Sequence, residues 1–87
     1  MATYIICSDL SSEYDQEEFI SAINGFGETR QVLSGVWVVI SEKTATQIRD
    51  DLSAVMDASE RLLVVKSGSV GAWKSIMSDN KWLADNL

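Results

Sequence analysis

An α+β fold built as one antiparallel sheet with helices on one side is what this chain predicts, and three observations carry the prediction. Four short runs rich in β-branched and aromatic residues, at 3–7, 28–33, 36–40 and 61–67, have the length and composition of strands. Two stretches with apolar residues at helical spacing lie between the first and second runs and between the third and fourth. Strand, helix, strand, strand, helix, strand is the split βαβ plan, in which right-handed crossovers place both helices on one face of a four-stranded sheet. The expected architecture is therefore a ferredoxin-like βαββαβ domain over residues 3–67, followed by a helical tail over residues 68–87, all within one domain of 87 residues.

The first strand, Thr3-Tyr4-Ile5-Ile6-Cys7, is apolar on both faces and stops at Ser8-Asp9, so it reads as a central strand with layers packed against both sides. Asp15 then offers an N-cap with Glu18 three positions on, and Phe19, Ile20 and Ile23 form the apolar face of a helix. Asn24-Gly25-Phe26-Gly27 ends that helix, with glycine expected in the left-handed conformation and Phe26 folded back onto the core. Ser34-Gly35 turns the second strand into the third, Val36-Trp37-Val38-Val39-Ile40, which is apolar at every position. Thr44-Ala45-Thr46-Gln47 matches a capping box, and Ile48, Leu52, Val55 and Met56 recur at helical spacing behind it. Residues 57–60 form a polar connection to the fourth strand.

Both faces of the third strand are apolar while the two helices cover one, so the other face needs a cover, either a second copy or the chain's own tail. The tail carries Val70, Trp73, Ile76 and Met77 at near-helical spacing, then Trp82, Leu83 and Leu87 after the polar break Ser78-Asp79-Asn80, which predicts one short helix or two in series. Trp37, Val39, Trp73 and Trp82 are the candidate interface residues, and homodimerisation is the expected association for a chain that buries so small a core alone.

Thirteen acidic against seven basic residues leave a formal charge of -6, which disfavours tight binding to nucleic acid and suits a partner protein with a basic surface. The acidic group Glu13, Asp15, Glu17 and Glu18 sits at the start of the first helix, where it complements the helix dipole and forms the candidate acidic surface. The N-terminus lacks a basic region followed by a long apolar stretch, so a soluble, cytoplasmic protein with no membrane association is expected. Cys7 is the single cysteine and reads as a small buried hydrophobe.

With no histidine and one cysteine, a Ser/His or Cys/His nucleophile pair and a histidine- or thiolate-based zinc site are excluded. The glycines do not form a phosphate loop, since none stands in a strand-to-helix turn followed by Lys-Ser/Thr. Asp9 remains as the one carboxylate at the lip of the core. Its simplest role is that of a turn residue accepting backbone N–H bonds.

Tyr4-Ile5-Ile6-Cys7-Ser8-Asp9-Leu10-Ser11, Asn24-Gly25-Phe26-Gly27, Arg30-Gln31 leading into Val36-Trp37-Val38, and Arg61-Leu62-Leu63-Val64-Val65 together resemble the small subunit of the CRISPR adaptation complex and its relatives. Those relatives include the VapD toxins and short bacterial and phage proteins labelled SinR-like, which end in a Trp-containing tail similar to this one. The resemblance implies a dimeric ferredoxin-like domain in which Asp9 pairs across the two-fold axis with its copy. It implies a scaffold in some members and a metal-dependent nuclease in others. In the second case Asp9 would be the catalytic residue and the ligand of Mg²⁺, which takes oxygen ligands from one or two carboxylates, water and phosphate. The stretch 13–18 departs from the basic first helix of nucleic-acid-binding members, so the leading expectation is an interaction or scaffold protein without strong nuclease activity and without a cofactor. The nuclease is one alternative, and a phage-type inhibitor that mimics nucleic acid against a basic host protein is another.

Overall fold

β1 (Ala2–Ser8), β2 (Glu28–Leu33), β3 (Val36–Ser41) and β4 (Leu62–Lys66) form one sheet in the order β2-β3-β1-β4, with every neighbouring pair antiparallel. α1 (Gln16–Asn24) connects β1 to β2, α2 (Ala45–Ser53) connects β3 to β4, and α3 (Asn80–Asn86) lies at the C-terminal end. This computed structural model describes residues 1–9 and 16–87, and of Gln16 the backbone alone. The acidic residues Glu13 and Asp15, the latter the expected N-cap of α1, lie outside the described residues, as do Leu10 and Ser11.

Alternation along the strands splits the sheet into two faces. Register pairs Tyr4 with Val39 and Ile6 with Trp37, and these side chains meet Phe19 and Ile23 of α1 and Ile48 and Leu52 of α2 in the larger core. Phe19 packs edge-on against Trp37 with ring centroids 5.4 Å apart. Phe26 and Met56 fold onto the rim of the same cluster. On the opposite face Ile5, Val36, Val38 and Val32 pack against Trp73, Ile76, Trp82, Leu83 and Leu87. The chain's own tail thus covers this second face over β2, β3 and part of β1, which decides between the two covers the sequence left open there. No helix among the described residues is long and apolar enough to cross a membrane.

Local chemistry accounts for the boundaries. Thr44 caps α2 in both directions: its Oγ1 accepts from the Gln47 N–H at 3.1 Å, and the Gln47 side chain accepts from the Thr44 N–H at 2.9 Å. α2 ends at Ser53, before Val55, whose N–H donates to Leu52 O in a tighter turn. In the connection that follows, Asp57 accepts from the Ser59 N–H and hydroxyl, each at 3.0 Å, and these bonds, the backbone one foremost, hold its carboxyl below the usual range. α1 closes without the expected left-handed glycine. The Gly25 N–H donates to Ser21 O and Ala22 O with an ordinary backbone, and the positive φ, +152°, falls at Gly27 instead. There the carbonyl of Ile40 on β3 occupies the space a Cβ would need.

Of the two forms expected for the tail the structure has one short helix, but the expected helical span over 68–87 is corrected. Only residues 80–86 are helical, and the polar break is the start of that helix, with Asp79 as N-cap accepting from the Lys81 N–H at 3.0 Å. Residues 68–79 stay irregular because Ser69 and Ser75 adopt left-handed φ values of 67° and 55°, which a helix does not accept. Tertiary contacts replace the helical ones: the Met77 N–H donates to Val32 O of β2 at 2.9 Å, and Thr3 Oγ1 of β1 donates to Asn86 O at 2.7 Å.

Replacing Gly27 with alanine forces a methyl group against the Ile40 carbonyl in a backbone conformation that alanine disfavours. A loss of about 2 kcal/mol or more in urea unfolding is expected, whereas Gly68→Ala, where nothing stands within 4 Å of the added carbon, leaves stability within about 1 kcal/mol.

Candidate functional site

Asp9 stands where β1 leaves the sheet, and two bonds tie it to Arg61, the residue that leads into β4. Its N–H donates to Arg61 O at 3.2 Å, and its carboxylate Oδ2 accepts from the Arg61 guanidinium Nε at 2.9 Å. The side chains are 62% and 84% exposed, so the ion pair is a solvated one. Ser8, one step back, donates its N–H to Gly35 O at 2.7 Å in the β2–β3 turn. Glycine is required at 35, since a Cβ there would meet Ser8 O. Ser8 Oγ is buried and has no hydrogen-bond partner among the described residues. Cys7, Ser8, Asp9, Arg61, Leu62 and Leu63 line an open cleft of about 250 Å³ at this corner.

Chemically the corner is a weak cation site. An oxygen that would ligate Mg²⁺ already accepts from a guanidinium, whose positive charge repels a second cation. Among the described residues no group of three or more Asp, Glu, Cys or His side chains assembles around Asp9 or elsewhere. Among the described residues the Asp9 carboxylate at this corner is balanced by the Arg61 guanidinium.

The candidate interface residues separate into two sets. Trp37 and Val39 belong to the core beneath the helices, 4% and 0% exposed, so their assignment to an interface is corrected: alternation points them at α1 and α2, away from any partner. Trp73 and Trp82 lie in the layer that covers the second sheet face. Trp73 Nε1 donates to Asn80 Oδ1 and Trp82 Nε1 to Glu28 Oε1, both at 3.2 Å, and the Arg30 guanidinium sits 4.8 Å above the Trp82 ring. Both tryptophans are partly buried by contacts within the chain. Of the acidic surface, Glu17 and Glu18 are described and lie exposed in the first turn of α1.

The structure adds a feature absent from those candidates. β4 is an edge strand, and its residues on the tail-covered side of the sheet, Leu63 and Val65, are 57% and 39% exposed because the tail stops short of them. Cys7 of β1, the register partner of Leu63, is half-buried beside them. The other edge, β2, is blunted by charged Glu28 and Arg30, by a bulge between Gln31 and Leu33, and by the Met77 N–H bonded to Val32 O. The signal for the β4 edge is present in the sequence: Leu62-Leu63-Val64-Val65 does not alternate with polar residues, as a half-buried edge strand should. Comparison with protein-family models, with curated proteins and with solved structures finds no match.

Because the Asp9–Arg61 pair is exposed, Asp9→Asn lowers stability by less than about 1 kcal/mol. Urea unfolding of the two proteins at low ionic strength checks this, and a loss above about 2 kcal/mol would assign the carboxylate a buried structural role it does not have in this structure.

Proposed function

We propose that this chain is a small acidic interaction or scaffold module of ferredoxin-like fold that self-associates and lacks strong nuclease activity. The strand order β2-β3-β1-β4, the antiparallel pairing and the two helices packed on one sheet face support the ferredoxin-like reading. The resemblance to the CRISPR adaptation small subunit, carried by the residues around Asp9, Gly25, Trp37 and Arg61, supports a scaffold role. The observation that carries the proposal is the β4 edge: an apolar strand left open beside a sheet face otherwise closed by the chain itself is a surface for another polypeptide.

The nuclease alternative needs Asp9 free to take a metal and a surface that attracts phosphate. Asp9 is engaged by Arg61, and the first turn of α1 presents Glu17 and Glu18 where a phosphate-binding surface would carry cations. Incubation of single- and double-stranded RNA and DNA with purified protein and Mg²⁺ or Mn²⁺ tests the choice. Wild type and Asp9→Ala are expected to leave substrate equally intact; metal-dependent cleavage by wild type that Asp9→Ala abolishes would establish the nuclease and overturn the proposal.

A further inference from the structure

We infer that two copies of the chain join edge to edge through β4, in antiparallel register centred on Val64, to make one continuous eight-stranded sheet. The inference deepens the self-association proposed above and rests on it, but it puts the two-fold axis at Val64 and so keeps the two copies of Asp9 apart, unlike the pairing the resemblance implies. Its first support is the direction of the backbone groups. The Ser67 N–H donates to Thr3 O at 2.8 Å and the Asp9 N–H to Arg61 O at 3.2 Å, which places 67 and 61 among the residues whose N–H and C=O face β1. By the alternation of an antiparallel ladder, 63 and 65 face β1 too, and the N–H and C=O of Leu62, Val64 and Lys66 point outward from the sheet. A strand entering from outside therefore meets three outward-facing residues in a row.

Self-pairing then has one register that uses all five residues of β4. Val64 lies opposite its own copy, Leu62 opposite Lys66 of the second copy, and Leu63 opposite Val65 of the second copy. Moving the centre to Leu63 or Val65 shortens the overlap to three strand residues. In the Val64 register the paired backbone bonds fall on 62, 64 and 66, the three residues that offer them. The narrow non-hydrogen-bonded positions fall on Leu63 and Val65, whose side chains are the exposed ones. Directly opposed residues share a face, so Leu63 and Val65 of both copies make one apolar strip on the side the tail leaves open.

Charge fits the same occupant. The molecule carries -6, yet among the described residues the β4 edge is locally balanced, with Arg61 and Lys66 against Asp9 and Glu60. Two acidic copies thus meet at a part of the surface where they do not repel. In the Val64 register no cation lies opposite a cation, and Lys66 of each copy lies diagonal to Glu60 of the other.

Sedimentation velocity across a concentration series tests the inference, using wild type, Val64→Pro and Leu63→Lys. Proline at 64 removes an outward N–H that β1 does not use, so the monomer keeps its sheet while the new ladder is blocked. Lysine at 63 puts a charge in the apolar strip. Wild type is expected to shift from one chain to two as concentration rises, with both variants weakened about 10-fold or more and with unchanged far-UV circular dichroism. Wild-type dimers together with variants that dimerise equally well overturn the β4 assignment and leave self-association standing; a wild type that stays monomeric at every concentration overturns both. If Val64→Pro loses its native circular dichroism, Leu63→Lys decides alone.

Discussion

Apolar side chains on both faces of the two central strands are the constraint from which the rest of this structure follows. β1 and β3 present Tyr4, Ile6, Trp37 and Val39 to one side and Ile5, Val36 and Val38 to the other. A four-stranded sheet with two helices covers one side and no more, so the second side needs a third layer or stays wet. A fully buried leucine-sized side chain contributes on the order of 2 kcal/mol by leaving water, and the tail sets buried Leu83 and the partly buried Trp73, Ile76, Trp82 and Leu87 against the second face. In a chain of 87 residues, whose core is small, that layer is a large share of what holds the fold together.

The tail does this with only seven helical residues. Left-handed turns at Ser69 and Ser75 steer the irregular part, hydrogen bonds from Met77 to β2 and from Thr3 to Asn86 pin its middle and its C-terminal helix, and Glu28 and Arg30 hold the Trp82 indole at its N–H edge and over its ring. Its reach also sets where the molecule is open. The layer closes β2, β3 and part of β1 but stops before β4, so Leu63 and Val65 remain at the surface while Trp37 and Val39 do not.

Much of this was legible in the residues. Strand and helix order followed from periodicity, the capping box at Thr44 from four letters, and the need for a second cover from the uninterrupted run Val36-Trp37-Val38-Val39-Ile40. What was not legible depended on contacts between segments distant in sequence. Gly27 takes its positive φ because the carbonyl of Ile40 approaches it, and no local pattern around Asn24-Gly25 reports that approach. Trp73 and Ile76 sit at helical spacing yet fold irregularly, since a partner strand outbids local periodicity. Asp9 read from the sequence as a turn residue at the lip of the core, and nothing local pointed to Arg61, 52 positions away, which is its partner once β4 pairs with β1.

The central claim, that the tail is a structural layer and not an appendage, is tested most directly by urea unfolding of Leu83→Ala beside Leu52→Ala. Leu52 lies in the core under the helices and Leu83 in the tail layer, 0% and 3% exposed. If both layers belong to one cooperative core, the two substitutions cost alike, about 2–5 kcal/mol each, in a single transition. A loss below about 0.5 kcal/mol for Leu83→Ala, with Leu52→Ala costing its full amount, would show that the second face is not held by the tail and would contradict the account.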